Sequence, residues 1–400
     1  MKKSLICLLL LLALLTPSLC AADTAAEITA DCKFQIPNNK DLNSADMRDR
    51  NTMTATSAEP YRNPYIIITP PEGQKVGAIY ICFGRMAMPF SVQIQRYGHW
   101  VEIGHSNDGW QQLYAEFEPT GQQIRLKFDS FGVARTLVIR EIYVYGAGER
   151  DEETVHIWEP TVEKADILFV ATHPDDEILW FGGAIPTYAG EKQAATAVLY
   201  MTCHYEYRLL ELLDGLWHCG VRTYPILAGF EDFETERWQD VLTTWNEKAV
   251  IKYLVSQIRT LKPEVIVTQD EKGEYGHSNH VAAVKMLIEA VALAADETYN
   301  GGSLAKYGTW QTKKLYVHLG DDPTTVMDWH HPLDFFDGKD SYTVACEAFT
   351  YHQSQLNRPH TVADAGDPYD STLWTLLYSA VGEDTQGGDF FENIPLECLQ

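Results

Sequence analysis

Basic residues are scarce in this sequence, which has 31 Lys and Arg against 56 Asp and Glu and a net charge of -25. Such a surface repels the phosphates of nucleic acids and anionic bilayers, so neither is expected as a partner. Substrates are expected to be neutral or cationic. The sequence also lacks internal repeats and low-complexity tracts, which argues against a repeat architecture.

Closely spaced cysteine pairs are missing as well. Of the eight cysteines, Cys7 and Cys20 lie in or at the edge of an apolar N-terminal segment. The other six are widely spaced, with no Cys-x-x-Cys among them: Cys32, Cys82, Cys203, Cys219, Cys346 and Cys398. This spacing argues against a zinc site made of thiolates. Disulfides are chemically permitted outside the cytosol, but the sequence assigns no pairs.

The one long apolar block lies at the N-terminus. Lys2 and Lys3 precede it and small residues follow it, which predicts a secretory signal peptide over residues 1–22. No later segment is long and apolar enough to predict a transmembrane helix. The protein is therefore expected to be secreted, periplasmic or at the cell surface, with cleavage after Cys20 or Ala22. A lipid anchor on Cys20 is the less favoured alternative, because Leu19 stands where a small residue is expected.

The length of 400 residues and the 45% apolar composition suggest two domains. Residues 30–149 contain short alternating segments, from "YIIITPP" to "TLVIREIYVYG", separated by turn residues. This pattern predicts a β-sandwich. Its last segment, "IREIYVYGAGE", resembles the closing strand of galactose-binding-like jelly-roll domains. Trp100 and Trp110 in this region are candidates for stacking on sugars or for the sandwich core.

Residues 150–164 are charged, contain a proline and predict a linker. In residues 165–400, strands such as "DILFVAT" and "EVIVTQ" alternate with helical stretches. This alternation predicts an α/β domain with a Rossmann-like, mostly parallel sheet flanked by helices. Strands this apolar are typical of a sheet that is covered on both faces.

A histidine and three acids follow the first strand of this domain, in "THPDDE" at residues 172–177. The carboxyl end of such a strand is where open α/β sheets bind ligands. A plain helix start is the alternative, with Pro174 in the first turn and the acids at the positive end of the helix dipole. That alternative explains one or two acids, but it does not require His173.

A second histidine cluster follows the strand "EVIVTQ". It contains His277 and His280, three residues apart at the start of a predicted helix, where both can face one way. Two histidines and a carboxylate form a common catalytic zinc set that leaves one position open for water. Two clusters at the carboxyl ends of strands in one sheet therefore predict a metal site.

The segments "ATHPDDE" and "EYGHSNH" resemble the zinc-dependent PIG-L/LmbE family of N-acetylglucosaminyl deacetylases. The segments "YRLLELLDGLWHCGV", "LAGFED" and "AFTYHQSQ" are similar to further marks of the family, so the resemblance covers Asp166 to about Phe391. It implies one zinc ion per chain, held by His173, Asp176 and His280.

The same resemblance implies the reaction and its remaining groups. Asp175 falls on the family's general base. The tetrahedral intermediate needs a cation or donor opposite the metal and the leaving amine needs a proton, and His277 fits as that electrostatic partner and general acid. Substrate contacts are implied for Arg208, Asp232 and Tyr275, with Tyr275 as a second donor to the oxyanion. Glu177 is expected to orient a ligand or cap the helix.

The function predicted in this way is removal of the acetyl group from an N-acetylglucosamine-type sugar or glycoconjugate by an exported zinc hydrolase. Two alternatives stay open. One is a zinc amidase that acts on another N-acyl substrate. The other is a carbohydrate-binding protein without catalysis, against which the complete set of His173, Asp175, Asp176 and His280 argues. The sequence does not indicate the oligomeric state.

Overall fold

The structure is a computed structural model that describes residues 23–37, 40–58, 65–129, 136–233, 235–299 and 302–400. The predicted signal peptide, residues 1–22, lies outside the described residues. The six cysteines within the described ranges are free thiols.

The first region consists of antiparallel strands. Its strands are β1 (Lys33–Gln35), β2 (Thr56–Ala58), β3 (Tyr65–Thr69), β4 (Val76–Phe83), β5 (Phe90–Arg96), β6 (His99–His105), β7 (Gln112–Thr120), β8 (Ile124–Phe128) and β9 (Leu137–Tyr145). One sheet has the order β1-β3-β8-β5-β6, and the other has the order β2-β9-β4-β7.

The two sheets enclose one hydrophobic core. Strand β8 shows how the sequence builds it, because Ile124, Leu126 and Phe128 are buried while Arg125 and Lys127 alternate with them on the other face. Side chains of both sheets belong to the same buried cluster. The nine strands that the structure describes in this region thus form two packed β-sheets. The relation of the region to galactose-binding-like jelly rolls stays a prediction.

A buried acid, Glu141, lies in the middle of β9. It has no exposed surface, and its Oε1 accepts the backbone N–H of Asn51 at 3.1 Å. Burial, together with the neighbouring Asp49 carboxylate, raises the pKa of Glu141 to about 8. The folded protein therefore binds a proton at this site over a pH range in which the unfolded chain has released it.

We expect the protonated Glu141 to make stability depend on pH. Because the folded pKa is the higher one, its contribution is fully present below the ordinary glutamate pKa and is lost as the pH rises toward 8. The free energy of unfolding, measured with urea from about pH 5 to 8, should fall more steeply in the wild type than in Glu141→Gln. The exposed Glu102→Gln is the control and should follow the wild type. Parallel curves for the wild type and Glu141→Gln would contradict the assignment.

The second region contains a seven-stranded sheet. Its strands are β10 (Ile167–Ala171), β11 (Thr196–Thr202), β12 (Ile226–Phe230), β13 (Val265–Thr268), β14 (Lys314–His318), β15 (Thr325–Val326) and β16 (Leu373–Ser379). The order is β12-β11-β10-β13-β14-β16-β15. The first five strands in this order pair in parallel, and β16 is antiparallel to both of its neighbours.

Helices cover both faces of this sheet. They are α1 (Asp176–Leu179), α2 (Glu206–His218), α3 (Trp238–Trp245), α4 (Glu247–Leu261), α5 (Ser278–Ala295), α6 (Leu304–Tyr307) and α7 (Ser341–Phe349), with a π-helical turn at Pro186–Glu191. Strand β10 is buried throughout. Ile167 and Phe169 join the core beneath α1, α2 and α7, while Leu168 and Val170 join the core beneath α3, α4 and α5. The predicted α/β fold is confirmed; the antiparallel edge formed by β15 and β16 was not predicted.

The sequence predicts no membrane-length apolar segment after the N-terminal block, but helix α5 is long and apolar enough, by length and composition, to cross a membrane, and 67% of it is buried inside the protein. It packs against α3 and α4 in the second core. Burial of this extent is typical of a core helix in a folded domain.

The two regions meet through aromatic rings and buried hydrogen bonds. Trp110 from the first region stacks on Tyr224 from the second, with centroids 4.2 Å apart and planes at 14°. Gln112 donates to Asp214 Oδ1 at 2.6 Å and accepts from the Trp158 indole at 2.8 Å. Trp110 therefore contributes to the contact between the regions.

Candidate active site

Parallel strands end at the same edge of the second sheet, and the predicted site residues lie at that edge. His173, Asp175 and Asp176 follow β10, which ends at Ala171. His280 lies in the first turn of α5, after β13. Strands β10 and β13 pair in parallel, so the loops that follow them lie at the same edge of the sheet.

Three side chains converge at the centre of this edge. His173 Nδ1 is 3.0 Å from His280 Nε2, and Asp176 Oδ2 is 3.2 Å from His173 Nδ1 and 3.3 Å from His280 Nε2. Ligand atoms around a tetrahedral zinc ion, each about 2.0–2.2 Å from the metal, are about 3.3–3.6 Å apart. The three atoms are therefore spaced nearly as ligands of one small ion would be.

Each histidine of this group has a carboxylate on its outward nitrogen. Asp232 Oδ1 is 3.2 Å from His173 Nε2, and Glu274 Oε2 is 2.8 Å from His280 Nδ1. A carboxylate in this position fixes the ring and leaves the opposite nitrogen free for a metal. Asp232 was expected to contact the substrate, and the structure places its carboxylate next to His173. Glu274 was not predicted as a residue of the site.

The electrostatics of the group favour a positive charge at its centre. Burial alone lowers the pKa of His280, but Asp176 and Glu274 outweigh it and raise that pKa to about 10. The second oxygen of Asp176 accepts the indole N–H of Trp180 at 2.7 Å, which fixes the carboxylate. Trp180 was also not predicted, although its position four residues after Asp176 places both on one face of a helix.

His277 is the cap residue of α5 and adds a third imidazole. Ring nitrogens of His173, His277 and His280 lie within 4.8 Å of one another, a looser grouping than the one that includes Asp176. Burial and the neighbouring imidazoles lower the pKa of His277 to about 3, so its ring is neutral near pH 7. Its Nδ1 accepts the N–H of Asn279 at 3.3 Å, so the ring hydrogen lies on Nε2.

Asp175 is buried next to the group and is paired with an arginine. Arg208 Nη2 is 2.9 Å from Asp175 Oδ1, and the same guanidinium donates to the Pro174 carbonyl. Burial raises the pKa of Asp175 to about 6, although Arg208 opposes the shift. A carboxylate with a pKa close to neutrality suits proton transfer at physiological pH.

A cleft of about 500 Å³ opens onto these residues. Tyr275 lines it and is 47% exposed, with its ring stacked on His360 at 4.6 Å. The cleft also contains Gln355, from the segment "AFTYHQSQ", and three following residues that sequence patterns did not reveal: Arg358, Pro359 and His360. These three residues lie in a loop without periodic pattern, which left no signal for a prediction.

Comparison with known proteins agrees with the location of this site. Residues 168–291 match a family model described as PIG-L, GlcNAc-PI de-N-acetylase. A 1D-myo-inositol 2-acetamido-2-deoxy-alpha-D-glucopyranoside deacetylase from Thermomonospora curvata is 28% identical over 212 residues, which are 42% of this chain and 66% of the relative. A deacetylase of the same name from Thermobispora bispora is 30% identical over 187 residues, which are 38% of this chain and 57% of the relative.

The chain thus spans less than two thirds of the length of these relatives. Among solved structures, an N,N'-diacetylchitobiose deacetylase from Pyrococcus horikoshii is 17% identical with a TM-score of 0.39, over 48% of this chain and 72% of that chain.

Proposed function

We propose, from the match of residues 168–291 to the PIG-L family model, that the chain is a metal-dependent hydrolase that removes the acetyl group from an N-acetylglucosamine-type sugar. The observation that carries the proposal is the convergence of His173, Asp176 and His280 within 3.0–3.3 Å of one another. A buried Asp175 lies next to them in the same cleft.

We propose one zinc ion as the cofactor, with His173, Asp176 and His280 as the residues that would hold it. Support comes from the spacing of their ligand atoms and from the carboxylates on the outward nitrogens of both histidines. Zinc, when bound there, supplies Lewis acidity that polarises an amide carbonyl and makes water a better nucleophile.

Asp175 is the proposed general base. Its carboxylate would accept a proton from the attacking water, which its raised pKa of about 6 favours. Arg208 orients the carboxylate and keeps it ionised in the buried site. Arg208 was expected to contact the substrate, and in the structure it also contacts Asp175, the proposed base.

His277 and Tyr275 are the proposed donors to the carbonyl oxygen as it gains negative charge. The low pKa of His277 favours a neutral Nε2–H donor over the cation and general acid expected from the sequence. The proton accepted by Asp175 is then available for the leaving amine. In this scheme one carboxylate serves both halves of the reaction.

An extracellular glycan or glycoconjugate is the proposed substrate, in keeping with the export predicted from residues 1–22. We expect the purified, zinc-loaded chain to release acetate from N-acetylglucosamine oligomers, to stop when a chelator removes the metal, and to recover when zinc is added back. Acetate is measured directly, with an N-acetylated amino acid as the control substrate. A chain that binds the oligomers with zinc present but never releases acetate would contradict the proposal, and preference for the control substrate would indicate a broader amidase.

A further inference from the structure

Glu177 and His352 lie fully buried near Asp175. One is acidic and the other basic, and neither takes part in the proposed reaction. Neither has exposed surface, and Glu177 Oε1 is 3.1 Å from His352 Nε2. Removing charged groups from water is costly, so they are rarely buried unless they are paired. Glu177 is the last acid of the first histidine cluster, whereas His352 comes from the turn after α7.

The backbone of Asp175 shows what this pair holds in place. Asp175 has φ 117° and ψ -30°, a left-handed conformation that is unfavourable for a residue other than glycine. Such strain persists only where the surroundings fix the chain in several ways. One of these is a hydrogen bond from the Asp175 N–H to Glu177 Oε2 at 2.8 Å. Glu177 therefore accepts a hydrogen bond from the strained residue with one carboxylate oxygen, and its other oxygen lies 3.1 Å from His352 Nε2.

Two residues of α2 accommodate His352 and the turn that carries it. Gly215 lies in the interior of this helix, and a Cβ there would be only 3.1 Å from His352 Nε2. Glycine is less favourable than alanine inside a helix, and here it makes room for the histidine ring. Glu211, one turn earlier, accepts from Ser354 N at 2.8 Å and from Ser354 Oγ at 2.6 Å, which fixes the turn that carries His352.

We propose that Glu177 and His352 form a positioning pair that holds Asp175 in its strained conformation, with its carboxylate directed at the reacting water. The inference rests on the proposed function of Asp175 as the base. It gives a task to His352, which belongs to the segment "AFTYHQSQ" and follows residues 168–291, the part matched by the family model. Arg208 fixes the side chain of Asp175, and the pair fixes its backbone.

The test uses the full, zinc-loaded chain and compares His352→Gln and Glu177→Gln with the wild type. Each change should lower kcat for acetate release about 10–100-fold, the range seen when outer partners of a catalytic group are removed. KM and zinc content should stay close to the wild-type values, because neither residue contacts the cleft. The same two changes in an Asp175→Asn background should lower the residual kcat less than about twofold, because residues that act as a unit are not additive.

His218→Gln is the matched control. His218 also joins α2 to α7, through Glu347 at 3.0 Å, but it does not contact Asp175, and kcat should be unchanged. Wild-type kcat in a folded, zinc-loaded His352→Gln or Glu177→Gln protein would overturn the pairing, as would an equal loss in the Asp175→Asn background. Glu177→Gln preserves the shape of the side chain, so it remains informative if His352→Gln does not fold. If Asp175→Asn itself keeps wild-type kcat, the proposed base is wrong, whatever the pair does.

Discussion

The Asp175→Asn protein is expected to release acetate about 10²–10⁴-fold more slowly than the wild type, the range that general-base catalysis contributes. Asparagine has the size of aspartate and can still accept a hydrogen bond from Arg208. It cannot accept a proton from water near neutral pH. The loss should therefore appear in kcat, while zinc content, measured on the same preparation, stays at one ion per chain.

A second aspartate provides the control for this substitution. Asp389 is bound by Lys192 at 2.7 Å and by the Tyr188 hydroxyl at 2.6 Å, so it is also paired with a cation, but it does not line the cleft. Asp389→Asn should keep the wild-type kcat. If Asp175→Asn were as active as Asp389→Asn, another group would have to accept the proton.

The largest effect on metal binding is expected from His280→Ala. His280 is fully buried, and its Nε2 lies 3.0 Å from His173 Nδ1 and 3.3 Å from Asp176 Oδ2. Its loss leaves two ligands, whereas catalytic zinc sites in proteins have three. After dialysis against zinc-free buffer, the variant should contain far less than one ion per chain and should not release acetate. Elemental analysis of the protein measures the first effect independently of activity.

Two further variants make the metal prediction specific. Glu274→Gln keeps all three proposed ligands but weakens the partner of His280 Nδ1, and should lower zinc affinity about 10–100-fold. His331→Ala removes an exposed histidine from a loop and should leave zinc content unchanged. A stoichiometric zinc content in His280→Ala would exclude His280 as a ligand.

Strands of the second sheet could be predicted closely from the sequence. "DILFVAT" and "EVIVTQ" correspond to Ile167–Ala171 and Val265–Thr268, because continuous apolar runs of this length are typical of strands buried on both faces. The meeting of the two histidine clusters could be predicted for a similar reason, since parallel strands leave the sheet at a common edge.

Side-chain partners within the site could not be predicted in the same way. Sequence position places Asp232 and Arg208 at the correct edge, but the rotation of each side chain depends on its neighbours. Asp232 turns to His173 and Arg208 to Asp175. The link between Glu177 and His352 depends on the turn after α7, whose approach to α1 is a long-range contact that no local pattern encodes. Strands β15 and β16 escaped prediction because a two-residue strand and a half-exposed strand carry little periodic signal.

The contact between the two regions, where Trp110 stacks on Tyr224 and Gln112 bridges Asp214 and Trp158, also bears on how the chain unfolds. If either region melted alone, the other would expose these rings and lose buried hydrogen-bond partners, so partial melting is costly. The two regions are thus thermodynamically coupled and should melt in one cooperative transition. A proton bound at Glu141, far along the chain from His173, would then raise the melting temperature of the region that carries the catalytic cleft.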